Sequence, residues 1–108
     1  MSRKKARRTA QLRKIVDETS YLGGRRRGAV LKVEVWSDGR AIVKYSLAYI
    51  NPRICSADNG RVLRYGNSHG RHHRHFMGTV KPCEFSSYEK LADRLQREVE
   101  ARWRREDE

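Results

Sequence analysis

From residue 28 to residue 50 apolar and polar positions alternate with a period of two. In "AVLKVEVWSDGRAIVKYSLAYI" Leu31, Val33 and Val35 share one side, while Lys32, Glu34 and Trp36 share the other. After "SDGR", with Asp38-Gly39 at its centre, Ala41, Val43, Tyr45, Leu47 and Tyr49 again share a side. Alternation of this kind around a tight turn predicts a β-hairpin with one face buried. "NPRICSADNG" reads as a loop, and "RVLRY" (61–65) as a third strand pairing with 45–50. "HFMGTV" (75–80) predicts a fourth strand, which Lys81-Pro82 ends because proline cannot donate to a ladder.

The period then changes. Leu91, Leu95, Val99 and Trp103 recur every four residues, with Tyr88 and Ala92 on the flanks of the same stripe. Ser86 with Glu89 three residues later has the form of a capping box, so a helix over 87–104 is predicted to lie across one face of the sheet. At the other end, "RKKARRTAQLRKIVDET" (3–19) is rich in helix formers with sparse apolar positions at Ala6, Leu12, Ile15 and Val16. It reads as a frayed amphipathic helix, broken by the exposed connection "YLGGRRRG". The expected fold is therefore α+β: an antiparallel sheet of about four strands, flanked by an N-terminal helix and a C-terminal amphipathic helix. Residues 1–27 form the basic N-terminal helix and linker of this reading, and 28–108 a single domain.

Charge adds what the pattern does not contain. The 108 residues carry 25 Lys and Arg against 13 Asp and Glu, a formal +12. A surface of that sign attracts polyanions, RNA or DNA above all. The run Arg25-Arg26-Arg27 is a candidate contact for the phosphate backbone. Two cysteines outside any CxxC spacing make no disulfide framework and suit a reducing compartment. No apolar run reaches the length of a membrane span, and no apolar stretch follows the basic start. A cytoplasmic protein without membrane contact is expected. Trp36, Trp103, Tyr45 and Tyr49 read as core or core-edge residues, and Glu34 as the partner of Lys32 or Lys44. An exposed sheet edge leaves a homodimer and a monomer both open.

All four histidines fall within "RYGNSHGRHHRHF" (64–76), among arginines. Zinc asks for four ligands at fixed spacing. Here no second Cys/His pair completes a familiar pattern, and Arg64, Arg71 and Arg74 repel a dication, so no metal and no cofactor is expected. Acid–base chemistry suits the residue types better, because imidazole titrates near neutrality. Metal-free cleavage of an RNA phosphodiester needs a base, an acid and cations around the phosphate. If 72–76 is extended, His73 and His75 share a side about 7 Å apart along the strand, with His72 and Arg74 on the other. A polar loop that merely binds phosphate satisfies the same residues, and the spacing leaves both readings open.

At "LRYGNSHGRHHRHFMGTVKP" the chain resembles the TumE family of toxins from toxin–antitoxin modules. Members carry an arginine-tyrosine/tryptophan-aspartate-asparagine string after a strand, then proline-histidine-histidine, then histidine-histidine-lysine-histidine and a glycine. Arg64, Tyr65 and Asn67 match the first string, and His69 takes a place in the second. His72, His73 and His75 match the third, with Arg74 in the lysine position and Gly78 behind. Gly66 stands where the family has aspartate. The resemblance covers about residues 28–104. It implies a toxin acting on RNA, bound by a cognate antitoxin protein.

Joined to the residues, it leads to an expected metal-independent endoribonuclease. His73 and His75 are its acid and base, with His72 and His69 as further candidates. Arg64 and Arg71 stabilise phosphate, and Tyr65, Asn67 and Arg74 help to hold the nucleic acid. The alternative is a non-catalytic nucleic-acid-binding or regulatory protein that uses its basic surface alone.

Overall fold

The structure is a computed structural model that describes residues 12–67 and 70–107. Among these residues six strands form one antiparallel sheet in sequence order: β1 (Arg13–Tyr21), β2 (Val30–Ser37), β3 (Ile42–Ile50), β4 (Arg61–Gly66), β5 (His73–Phe76) and β6 (Thr79–Pro82). One helix, α1 (Tyr88–Glu106), follows. The hairpin β2–β3 forms where the alternation predicts it. Asp38 closes it by accepting the backbone N–H groups of Arg40 and Ala41, and Gly39 supplies a positive φ. The third strand also pairs as expected, with Leu47 opposite Tyr65 and Tyr49 opposite Leu63.

The sheet differs from expectation in two places. "HFMGTV" is not one strand but the corner of a hairpin. Met77 and Gly78 both take positive φ, which turns the chain so that Phe76 faces Thr79, and β5 and β6 replace the single fourth strand. No N-terminal helix is seen among the described residues: Arg13–Tyr21 is a strand paired along its length with β2. The part of the predicted helix before Leu12 lies outside the described residues. The physical reason is position at the sheet edge. Of β1 only Val16 is partly buried, so neither a helical nor a strand period is imposed on its side chains. The β-branched Ile15, Val16 and Thr19 with Tyr21 were the available signal for a strand.

Helix α1 begins one residue later than the capping-box reading implies. Ser87, not Ser86, is the N-cap, its hydroxyl accepting from the Lys90 N–H. Leu91, Leu95 and Val99 are buried, as the four-residue spacing predicts. They meet Val35, Tyr45, Leu47, Tyr49, Leu63 and Tyr65 from the odd-numbered positions of β2 to β4. Trp103 closes this core edge-on against Tyr49. Arg26 holds the far end of the helix by donating to the Trp103 carbonyl and to Asp107. The other face of the sheet carries no helix among the described residues, and Arg64, His73 and His75 lie there. None of these elements contains a helix long and apolar enough to cross a membrane.

Candidate functional site

Strand alternation divides the histidine segment between two faces. His73 and His75 project from β5 on the helix-free face, their ring centroids 6.5 Å apart. His72 lies on the other side, stacked 4.3 Å from the Phe85 ring, with its Nδ1 2.7 Å from the Tyr45 hydroxyl. Arg74 follows it to the helix side, donating to the Tyr65 hydroxyl and, at 3.0 Å, to Glu98 of α1. Tyr65 is fully buried and donates to that same Glu98. His69 lies outside the described residues. Among those residues, no three His, Cys, Asp or Glu side chains converge as a metal ion would require.

Arg64 joins the histidine pair. The register places it opposite His75 on β5 and Ala48 on β3. Its Nε donates to Ser46 Oγ at 3.1 Å, and Nη1 lies 3.3 Å from His75 Nε2. Arg64 as a residue is only 9% exposed; burial and the nearby Arg61 lower its pKa, while Asp58 acts in the opposite sense. It fits because residue 66 has no side chain. A Cβ on Gly66 would stand 2.7 Å from Arg64 Nη2. The lack of a side chain at residue 66 is what admits the guanidinium to the sheet surface. Gly66→Ala is therefore expected to drive the Arg64 guanidinium off Ser46 and His75 at small cost in stability, because what must give is the far end of a flexible side chain. The NMR shifts of the His75 ring report the displacement, and unchanged shifts would contradict this account.

Asp58 completes the group, and no sequence pattern pointed to it. It sits in the loop between β3 and β4, where Asp58, Asn59 and Gly60 take positive φ in succession. That tight turn brings the carboxylate to His75, with Oδ2 2.9 Å from Nδ1, and to Arg61 at 3.3 Å. An ionised carboxylate only accepts hydrogen bonds and a guanidinium only donates them. His75 satisfies both neighbours in one form: proton on Nδ1 toward Asp58, lone pair on Nε2 toward Arg64.

The remaining predicted residues lie elsewhere. Asn67 extends the β3–β4 ladder past its last pair, accepting from the Tyr45 N–H at 3.0 Å and donating to the Val43 carbonyl at 2.8 Å. Arg71 is exposed in the turn before β5. Arg25 and Arg27 are exposed in the β1–β2 connection, and Arg26 is taken up by the helix end. Glu34 pairs with Lys14 at 2.8 Å rather than with Lys32 or Lys44, because β1 occupies the neighbouring strand position. Burial pushes the Tyr45 and Tyr65 phenols up to about 12, so neither acts as a base near neutrality. Burial also raises the Cys83 thiol, away from nucleophilic thiolate.

Fold and site together define a small, strongly basic α+β protein: one antiparallel sheet, a helix on one face, and an Asp–His–Arg chain with a second histidine on the other. The chain belongs to the TumE toxin family, whose model, described as Toxin TumE, matches residues 4–103. It is thus a toxin of a toxin–antitoxin system, and a cognate antitoxin is implied as its partner. Neither the curated proteins nor the solved structures contain a match to it.

Proposed function

We propose that the toxin is a metal-independent endoribonuclease whose site is His75, His73 and Arg64, with Asp58 as the residue that orients His75. The observation that supports this most is the placement of two imidazoles 6.5 Å apart on one face, one of them held between a carboxylate and a guanidinium. A scissile phosphate draws the Arg64 N–H groups onto its oxygens, which uncovers the His75 Nε2 lone pair. That nitrogen takes the proton of the ribose 2′-hydroxyl, and the 2′-oxygen attacks phosphorus. The bond from phosphorus to the 5′-oxygen breaks as His73, in its imidazolium form, protonates the leaving oxygen. The products are a 2′,3′-cyclic phosphate and a 5′-hydroxyl, and Arg64 offsets the charge that builds on the phosphoryl oxygens in between.

The chemistry of the ends tests the reading. Purified toxin incubated with single-stranded RNA in excess EDTA is expected to leave cyclic phosphates, detected by mass spectrometry of the fragments. Intact RNA would favour the alternative of a binding or regulatory protein, and fragments with 5′-phosphates would keep a nuclease but overturn attack by the 2′-hydroxyl.

A further inference from the structure

We propose that the helix-free face extends the site into a track for single-stranded RNA, with Trp36 as a base-stacking platform and Lys14 and Lys44 as its phosphate contacts. The proposal deepens the endoribonuclease reading by naming where the substrate lies beyond the cleaved bond.

The two tryptophans of the chain have opposite surroundings. Trp103 packs against the core cluster, edge-on to Tyr49. Trp36 is absent from that cluster, although it is only partly exposed. It projects from β2 on the face that lacks a helix, and the register sets it in one cross-strand row with Lys14 of β1 and Lys44 of β3. Their ammonium groups stand 5.0 and 4.7 Å from the indole centroid. An indole outside the core, with two ammonium groups over its ring, offers a base a π-face and its phosphates a cation once an ammonium moves aside.

The same face connects this row to the histidines. The next row along the strands holds Glu34, Ser46, Gly66 and His73, and the one after it Lys32, Ala48, Arg64 and His75. From strand spacing and rise, Trp36 lies roughly 16 Å from His73 between α-carbons, a span of a few nucleotides. Ser46, Ala48 and Gly66 keep the floor between them low, and Arg64 lies against Ser46 and Gly66. Glu34 is the one acid in the crossing rows of β2 to β5; it and Asp17 hold the Lys14 ammonium at 2.8 and 3.5 Å, and an incoming phosphate competes with them for it. Lys32 adds a cation on the approach to Arg64.

The test measures binding without turnover. Full-length His73→Ala/His75→Ala protein is titrated against a short, unstructured, fluorescently labelled RNA, and affinity is read by anisotropy. Adding Trp36→Leu to that background is expected to weaken binding roughly tenfold, within the range that one lost base stack allows, while Trp36→Phe keeps most of the affinity. Lys14→Gln with Lys44→Gln is expected to flatten the dependence of affinity on salt, because fewer counterions are released. Unchanged affinity in a folded Trp36→Leu protein overturns the track, as does equal weakening by Leu and Phe or no RNA binding by the parent. Because nothing is cleaved in this assay, RNA that binds through Trp36 but leaves wild-type toxin uncut refutes the nuclease reading and not the track.

Discussion

Induced in a tightly controlled host, the His73→Ala/His75→Ala toxin is expected to permit normal growth and leave cellular RNA intact, where the wild-type chain is expected to stop growth and, by the proposed function, to degrade it. One general acid or base contributes typically about 10²–10⁴-fold, and residues that act as a unit do not add, so removing both reduces cleavage about as far as removing one, within that range. The expectation rests on location. Both rings project from the sheet surface, away from the helix-side core, so their truncation leaves the packing of Tyr65, Leu47 and α1 untouched. Asp58→Asn belongs to the same series and is expected to fall between wild type and the double variant. The amide still occupies the site but offers His75 Nδ1 a weaker acceptor, with no charge to balance an imidazolium. RNA profiles on denaturing gels rank the three proteins. Equal toxicity of wild type and double variant would remove the histidines from the mechanism.

The largest effect on stability is expected from Leu47→Ala. Leu47 is 1% exposed at the centre of β3, between Val33 on β2 and Tyr65 on β4, and belongs to the cluster that receives Leu95 and Val99 of the helix. Truncating it removes buried methyl groups and leaves a void that strands on both sides hold open, which costs about 2–5 kcal/mol. Domains of this size have only about 5–15 kcal/mol of stability, so the variant gives up a large share of it. Thermal unfolding followed by circular dichroism should show a fall of many degrees. A small shift would mean that α1 closes onto the sheet and fills the space. The variant also serves as a control: whatever toxicity it loses comes from unfolding, and at a temperature where it stays folded its RNA cleavage should match wild type.

How much could be read from the chain follows the strength of each local pattern. The hairpin β2–β3 and helix α1 were legible because many residues in each repeat the same period, and burial of that side leaves little choice of register. The division of the histidine segment followed from the same rule, since consecutive residues of an extended strand point to opposite faces. His73 and His75 therefore share a face, while His72 and Arg74 turn to Tyr45 and Glu98. Edge strand β1 was misread as a helix because its side chains are nearly all solvated, and what defines it is backbone pairing with β2. The β5–β6 hairpin was missed because Met77, a residue that rarely takes positive φ, occupies the turn beside Gly78.

By itself the sequence determined a basic, single-sheet α+β protein, the burial of one strand face under a terminal helix, and, for an extended segment, a shared side for His73 and His75. These are consequences of periodicity and charge, which are properties of neighbouring residues. That this side is the one without the helix follows from the strand register. Only the tertiary structure decided what surrounds that pair. Asp58 reaches His75 across 17 positions of chain through three left-handed residues, and Arg64 settles on the sheet because Gly66 leaves it room. Contacts of this kind depend on the path of the backbone in space, and no repeat in the chain records that path.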